Sequence, residues 1–483
     1  MLTKNSISNA ISHIFQDTLF YAVVNTLSRS AHLFIFPVLS RGMEISDFGL
    51  HELLYVATNI LVTLVILGIE SAVFRFYFDD SENSNRTVTS GLFSITISSV
   101  SVTIFLVYFI DYLLFFEEID SYFINSASYA LLSLPFAAIY AYSEAICRIQ
   151  RQRTQFLFLN LGYAFSIALS VLLLNKFGSI KLDQLFLSYM LIWLIMSSIG
   201  VYFIRSSLVL TFTIPSKKFF EYGIPICLSS VIISLSPVME RTLILIHDNT
   251  ETLGSYSAVS KIAMIYLIPI NAFNIAFLPF VMENFQKNVF ATVLNIILIV
   301  AAMLLLCGII WIAPFSEKIL VLFASAKYSG VSMYLVPLLF AVMLQFISGV
   351  LSIGLLLGKK THLRLIITCF SLLALGFGLD YYIPKYGIYA VVYCVLSVRI
   401  LTSVLEYIAA QRTYKLAWNS KILACLGLYL VTTYWVCQAD FYKNSLSIIM
   451  PIGLTCAAFV FTFLSVLYIL RCTETEDSVE MPT

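Results

Sequence analysis

The chain has 483 residues, 60% of them hydrophobic and only 11% charged, with a mean hydropathy of +0.92. Soluble proteins carry roughly a quarter charged residues, so a water-soluble fold of this size could not cover its surface; the fitting solvent is a bilayer, which a helix crosses in about 20 apolar residues. With 28 Lys plus Arg against 27 Asp plus Glu, no polyanion-binding face is expected and nucleic acid is excluded as a partner.

Residues 1–17 form a cytoplasmic lead in which Ile7, Ile11, Ile14, Phe15 and, just beyond it, Leu19 recur at helical spacing. Such a stripe suits an interfacial helix or a simple extension of the first span. Hydropathy and breaker residues then predict about fourteen spanning helices. They lie at 18–40, 48–70, 88–110, 126–146, 154–175, 184–204, 219–246, 252–280, 291–313, 332–357, 363–383, 386–409, 422–439 and 446–470. The first carries Asn25, Arg29 and His32 without a small-residue cleavage site, so it is expected to be retained rather than removed as a signal peptide. The nine cysteines are scattered through apolar runs with no Cys-x-x-Cys, which predicts neither a disulfide framework nor a metal site.

Orientation follows from the bias of Lys and Arg towards the cytoplasm. Lys4, Arg148, Arg151, Arg153, Lys217, Lys218, Lys359, Lys360, Arg364 and Arg471 fall in one set of alternate segments, whereas the 111–125 loop carries Glu117, Glu118 and Asp120 and no basic residue. Both termini are therefore expected in the cytoplasm. A weak internal echo pairs Phe36-Pro37-Val38-Leu39-Ser40-Arg41 with Ser236-Pro237-Val238-Met239-Glu240-Arg241, and Phe48-Gly49-Leu50 with Leu253-Gly254-Ser255. Six spans per repeat leave both halves in the same orientation, an arrangement that places a substrate site near the midplane between lobes. The expected organisation is an all-α polytopic membrane protein with two six-helix lobes around a central cavity: an N-terminal lobe at 18–204, a cytoplasmic linker at 205–218 and a C-terminal lobe at 219–409. A connecting loop and two extra helices at 410–470 follow, then an acidic cytoplasmic tail at 471–483 that is expected to be unstructured.

Four cations, Arg29, Arg241, Lys261 and Arg399, fall inside spans. Each costs about 2.5 to 3.5 kcal/mol at mid-bilayer, roughly 10 kcal/mol together, unless water or partners relieve it. Asn25, Arg29 and His32 share one helical face, the geometry of a wet cavity wall. Lys261 follows Ser257 by one turn, and Asn271 and Asn274 lie beyond Pro269, which can kink its helix. Since the deep cations outnumber the deep carboxylates, the cavity is expected to be cationic and to suit a phosphate or pyrophosphate headgroup. Other readings stand beside this one. Arg29 could be a counter-ion to Glu52 or Glu240, Lys261 could snorkel out of the membrane, and Arg399 and the Glu240-Arg241 pair could make interhelical ion pairs. His32 could relay protons or be a hydrogen-bonded core residue, and the many tyrosines could form an interfacial belt or stack on sugars. There is no Walker loop, His-Glu-x-x-His or Gly-x-Ser-x-Gly, and no loop large enough for a catalytic domain. A transporter without a cofactor is expected, not an enzyme.

The stretch Asn25 to Tyr77, with Arg29, Pro37, Arg41, Asp47-Phe48-Gly49-Leu50 and Leu67-Gly68-Ile69-Glu70-Ser71-Ala72-Val73-Phe74-Arg75-Phe76-Tyr77, resembles the polysaccharide-exporter branch of the multidrug/oligosaccharidyl-lipid/polysaccharide flippase superfamily. Tyr222-Gly223-Ile224-Pro225, Glu240-Arg241, Gly254-Ser255-Tyr256-Ser257 and Lys261 extend the likeness. The resemblance implies a flippase of O-antigen or capsule repeat units in the bacterial inner membrane. Its substrate would be an undecaprenyl-pyrophosphate-linked oligosaccharide passing from the cytoplasmic to the periplasmic leaflet, and polysaccharide polymerase and chain-length proteins would be its partners besides membrane lipids. It implies Arg29 and Lys261 as the leading substrate-binding positions; His32, Asn25, Arg241 and Arg399 are further candidates as polar residues within spans. Glu240, standing where the family often has Asp, and Glu52 are the candidates for ion coupling. An ion-coupled drug exporter of the same superfamily is the first alternative, and a membrane polymerase or ligase the second.

Overall fold

The computed structural model describes residues 20–21, 23–24, 27–28, 34–79, 84–114, 121–178, 180–209, 217–287, 290–358, 360–439 and 449–479. Every regular element among them is a helix. Thirteen helical stretches are long and apolar enough to cross a membrane, from Ile45–Ile66 to Met450–Ile469. The protein is thus an all-α, multi-pass membrane protein. The first expected span, 18–40, falls partly on residues outside the described ones, and the other thirteen coincide with the stretches found.

Backbone packing divides the chain into two compact units. The first comprises residues 1–245 and 249–254, the second 246–248 and 255–483. In the first unit a helical stretch at 34–42 leads to α1 (Ile45–Ile66), α2 (Ile69–Asp79), α3 (Ser84–Leu114), α4 (Ser121–Leu132), α5 (Leu134–Ile149), α6 (Arg153–Phe177) and α7 (Leu182–Ile204). α5 is the hub, packed against α7, α3, α1 and α6. Its small residues Ala137, Ala138, Ser143 and Ala145 let neighbours approach closely, as helix contacts in lipid require. The buried Tyr142 hydroxyl donates to the carbonyl of Val88 on α3 at 2.6 Å.

Two breaks within the expected spans lie in the first unit. Span 48–70 stops at Ile66 because Leu67 and Gly68 both take left-handed backbone, with φ of 52° and 66°. A Cβ on Gly68 would lie 2.2 Å from the carbonyl oxygen of Gly223, so only glycine permits that approach. Span 126–146 is interrupted at Ser133, where Pro135 occupies the first turn of α5 and the Ser133 hydroxyl donates to the Ala130 carbonyl at 2.6 Å. Gly223 lies on α8 (Lys217–His247), which carries Pro225 and Pro237 in its interior. α8 as far as Leu245 belongs to the first unit.

The second unit contains most of α9 (Thr250–Ala263), a 3-10 turn at Met264–Tyr266, then α10 (Leu267–Asn284), α11 (Phe290–Ile312), α12 (Ser316–Phe323), a 3-10 stretch at Ala326–Tyr334, α13 (Leu335–Leu351), α14 (Ile353–Leu357), α15 (Thr361–Tyr386), α16 (Ile388–Thr413), α17 (Ser420–Gln438) and α18 (Ile449–Val479). α16 packs between α13 and α15, and α11 lies against α13 and α18. Asn295 of α11 is a buried amide with its bonding satisfied. Its Nδ2 donates to the carbonyls of Ala291 and Ala417, and its Oδ1 accepts from the Asn419 amide, which fastens the connection before α17. The acidic tail continues α18 to Val479 instead of starting an unstructured segment at 471.

Candidate functional site

In the first unit, α1, α7 and α8 bring a set of ionisable side chains into an apolar interior. Glu52 on α1 and Arg241 on α8 are each 1% exposed, and Arg241 is among the largest fully buried side chains. The Arg241 Nη2 stands 3.9 Å from Glu52 Oε2, and its Nη1 donates to the Pro237 carbonyl one turn earlier at 3.1 Å. Adjacent helical residues point about 100° apart, so Glu240 is turned away from that pair. Its Oε1 accepts from the Ser236 hydroxyl at 2.8 Å, and it is buried. Ionised groups taken out of water lose several kcal/mol of hydration each and persist only with opposite charge and hydrogen bonds at hand. Arg241 and Glu52 supply each other's opposite charge and tie α8 to α1.

His51, beside Glu52, extends the cluster. Its ring is bounded by Phe48 and Tyr55 on its own helix and by Phe186 and Tyr189 on α7, with centroids 5.7 to 6.3 Å away. The Nε2 lies 3.3 Å from the Tyr189 hydroxyl and the Nδ1 3.6 Å from Glu52 Oε1. Behind them Tyr163 stacks on Trp193 at 4.2 Å, and Tyr140 meets the same indole edge-on at 4.9 Å. The expected site set contained Glu52, Glu240 and Arg241 but neither His51 nor Tyr189. The usable signal for His51 is a histidine directly before a glutamate in the opening turns of an otherwise apolar span.

In the second unit, Lys261 lies on α9, half-buried, one turn after the fully buried Ser257. The helix then tightens into the 3-10 turn at Met264–Tyr266, and Pro269 sits in the first turn of α10, where a missing amide hydrogen is tolerated. Asn271 and Asn274 follow as exposed residues. Arg399 is half-buried on α16, and its carbonyl accepts from the Ser403 hydroxyl at 2.8 Å. Nearer the end of α16, the buried Glu406 accepts from the Ser348 hydroxyl of α13 and from Arg364 Nε of α15 at 3.3 Å. Lys261 and Arg399 thus occupy separate helices of this unit, whereas Glu52, Glu240 and Arg241 cluster in the first. Asn25, Arg29 and His32 lie outside the described residues.

Solved structures of multi-pass helical membrane proteins are similar to this chain in fold. The lipid II flippase MurJ in an inward closed conformation aligns with a TM-score of 0.71 at 15% identity, covering 94% of this chain and 100% of that one. An inward-facing multidrug resistance MATE family transporter of the MOP superfamily aligns with a TM-score of 0.62 at 14% identity, covering 82% and 97%. At these identities the likeness is one of fold. In sequence, "Lsg locus putative protein 1" of Haemophilus influenzae is 25% identical over 407 residues, covering 78% of this chain and 94% of the relative. Residues 14–285 match the family described as polysaccharide biosynthesis protein, and the chain belongs to that family.

Proposed function

We propose that the protein is a flippase that moves an undecaprenyl-pyrophosphate-linked oligosaccharide repeat unit, of O-antigen or capsule type, from the cytoplasmic to the periplasmic leaflet of a bacterial inner membrane. The observation that carries this reading is the polysaccharide biosynthesis family match over residues 14–285. Two further findings support it: one of the solved structures of similar fold is that of a flippase for lipid II, and a relative in Haemophilus influenzae is named for the Lsg locus. In this reading the chain works by alternating access with both termini in the cytoplasm. Arg29 and Lys261 receive the pyrophosphate, with Asn25, His32 and Arg399 contributing to the polar wall, and the prenyl tail stays in lipid. A guanidinium or ammonium suits this task because phosphate oxygens accept charge-assisted hydrogen bonds, about twice as strong as neutral ones. Arg241 and Glu52 hold α8 against α1 in this scheme, and Glu52 and Glu240 are the carboxylates available for ion coupling. Polymerase and chain-length proteins would act on the delivered units.

Deletion of the gene in its own host tests the reading. Loss of the surface polysaccharide, accumulation of the lipid-linked repeat unit and unchanged drug susceptibility are expected. Intact polysaccharide with hypersensitivity to cationic drugs would identify a drug exporter instead. Polymerisation of lipid-linked sugar by the purified protein would make it an enzyme.

A further inference from the structure

In the second unit, the end at which α13 and α16 begin and α17 ends gathers four tyrosines: Tyr334 at the close of the 3-10 stretch, Tyr389 and Tyr393 on α16, and Tyr434 on α17. Tyr389 and Tyr393, one turn apart, hold their rings 4.3 Å from each other, and Tyr434 meets Phe340 of α13 edge-on at 5.2 Å. Tyr334 lies within interaction range of Tyr389 and Tyr393, and Tyr393 stands beside both Tyr389 and the Tyr434 hydroxyl. The Tyr434 hydroxyl and the Gln438 Nε2, one turn on, are both buried. They lie within reach of each other, yet neither makes a contact of hydrogen-bond geometry among the described residues.

Tyrosines near helix ends ordinarily belong to the interfacial belt, where each ring sits at the headgroup level with its polar tip in water. Trp435 fits that description at 69% exposed. The tyrosine cluster does not, because its phenols converge on Tyr393 from separate elements and Tyr434 keeps its hydroxyl inside. A buried polar atom without a hydrogen bond is destabilising, so two of them side by side mark a place where a ligand's polar groups are wanted. Tyr389, at 48% exposed, leaves part of its ring open.

We propose that this cluster is a subsite for a neutral sugar ring of the lipid-linked oligosaccharide. An aromatic surface covers the apolar C–H face of a sugar, while phenol and amide groups, which both donate and accept, meet its hydroxyls. The four tyrosines and Gln438 carry no charge, so phosphate and carboxylate, which call for a cationic partner, are not what they recognise. Tyrosine also offers a large contact area at little cost in conformational entropy. In the topology of the proposed function this end is periplasmic, and the subsite takes sugars that have already crossed.

The inference rests on the flippase reading for the source of the sugar, and its test reads binding alone. The repeat-unit oligosaccharide is released by mild acid from the host's own surface polysaccharide and titrated onto the full chain in lipid nanodiscs, with binding followed by saturation-transfer NMR. Transfer to the sugar is expected with the wild type. Tyr393→Phe and Tyr434→Phe each remove one hydroxyl and keep the ring, and each is expected to raise Kd about threefold to tenfold, the contribution of one neutral hydrogen bond. Tyr389→Leu, which removes a partly exposed ring, should weaken binding to a similar extent and carries the comparison if a phenylalanine variant fails to fold. Tyr381→Leu, at a 59% exposed tyrosine of α15 outside the cluster, is expected to leave Kd unchanged. A Kd unmoved by the three cluster variants, equal weakening by Tyr381→Leu, or transfer no greater than empty nanodiscs give, overturns the proposal. If the gene deletion abolishes the surface polysaccharide but the cluster variants bind normally, the subsite fails and the flippase reading stands. If the cluster variants lose binding but the deletion leaves the polysaccharide intact, the flippase reading fails and the sugar site stands.

Discussion

Gly49 and Gly254 occupy matching positions in the internal echo of the sequence, and in the first unit their backbones pack directly against each other. A Cβ on Gly49 would come within 2.6 Å of the Gly254 amide nitrogen, and one on Gly254 within 1.9 Å of the Ile45 carbonyl oxygen. The start of α9 is therefore pressed onto the start of α1 at a spacing that only two glycines allow. Gly254→Val is expected to destabilise the protein by about 3 kcal/mol or more, because the obstacle is backbone and cannot rotate away. Gly453→Ala is the matched control: nothing lies within 4 Å of its added methyl, and alanine is the better helix former by about 1 kcal/mol. Thermal melts of the detergent-solubilised variants should separate the two.

Removing one partner of the Arg241–Glu52 pair takes an opposite charge away from the other in an apolar interior, a change that typically costs about 3 to 5 kcal/mol. Arg241→Met and Glu52→Gln are each expected to lower the melting temperature sharply, and the double variant to recover part of the loss. A double-mutant cycle on melting checks this. Additive losses would show that the two side chains are not coupled.

Glu406 offers a contrast. Its carboxylate is enclosed and bonded by Ser348, whereas the Arg364 side chain is 57% exposed. Water screens the guanidinium, so Arg364→Ala should cost no more than about 1 kcal/mol. Glu406→Ala, which leaves Ser348 without its acceptor and opens a hole between α13 and α16, should cost about 1 to 3 kcal/mol. Equal losses from both would indicate that the ion pair, not the buried hydrogen bond, holds this joint.

Lys261 and Arg29 are tested by surface polysaccharide. Arg29→Ala is expected to abolish it while the protein stays in the membrane. Lys261→Ala should reduce it at least tenfold, the loss of about 1.4 kcal/mol of charge-assisted binding, and Lys261→Arg should restore most of the output. Wild-type polysaccharide from Arg29→Ala, or equal output from the two Lys261 variants, would remove that residue from the substrate path.

Much of this fold was legible because apolar runs of about 20 residues have a single stable solution in lipid. Breaks within the runs were harder to see. Leu67 carries no turn signal, and its left-handed backbone becomes intelligible only once Gly68 is seen against Gly223, a residue 155 positions further along. Pro269, by contrast, announced an interruption, and the 3-10 turn at Met264–Tyr266 lies just before it. Glu52, Glu240 and Arg241 were visible as charges that an apolar span has to accommodate. The surroundings of His51 are not written in the sequence, because Tyr189 and Phe186 come from α7 and no sequence spacing links those helices.

Transport itself is measured in proteoliposomes containing a lipid-linked oligosaccharide with a fluorescent sugar and an impermeant quencher outside. With the wild-type protein, the fraction of label accessible to the quencher should rise steadily above the half already exposed, and with Arg29→Ala it should not. Label that stays half-protected in wild-type vesicles, or that is exposed equally by both proteins, would contradict the account.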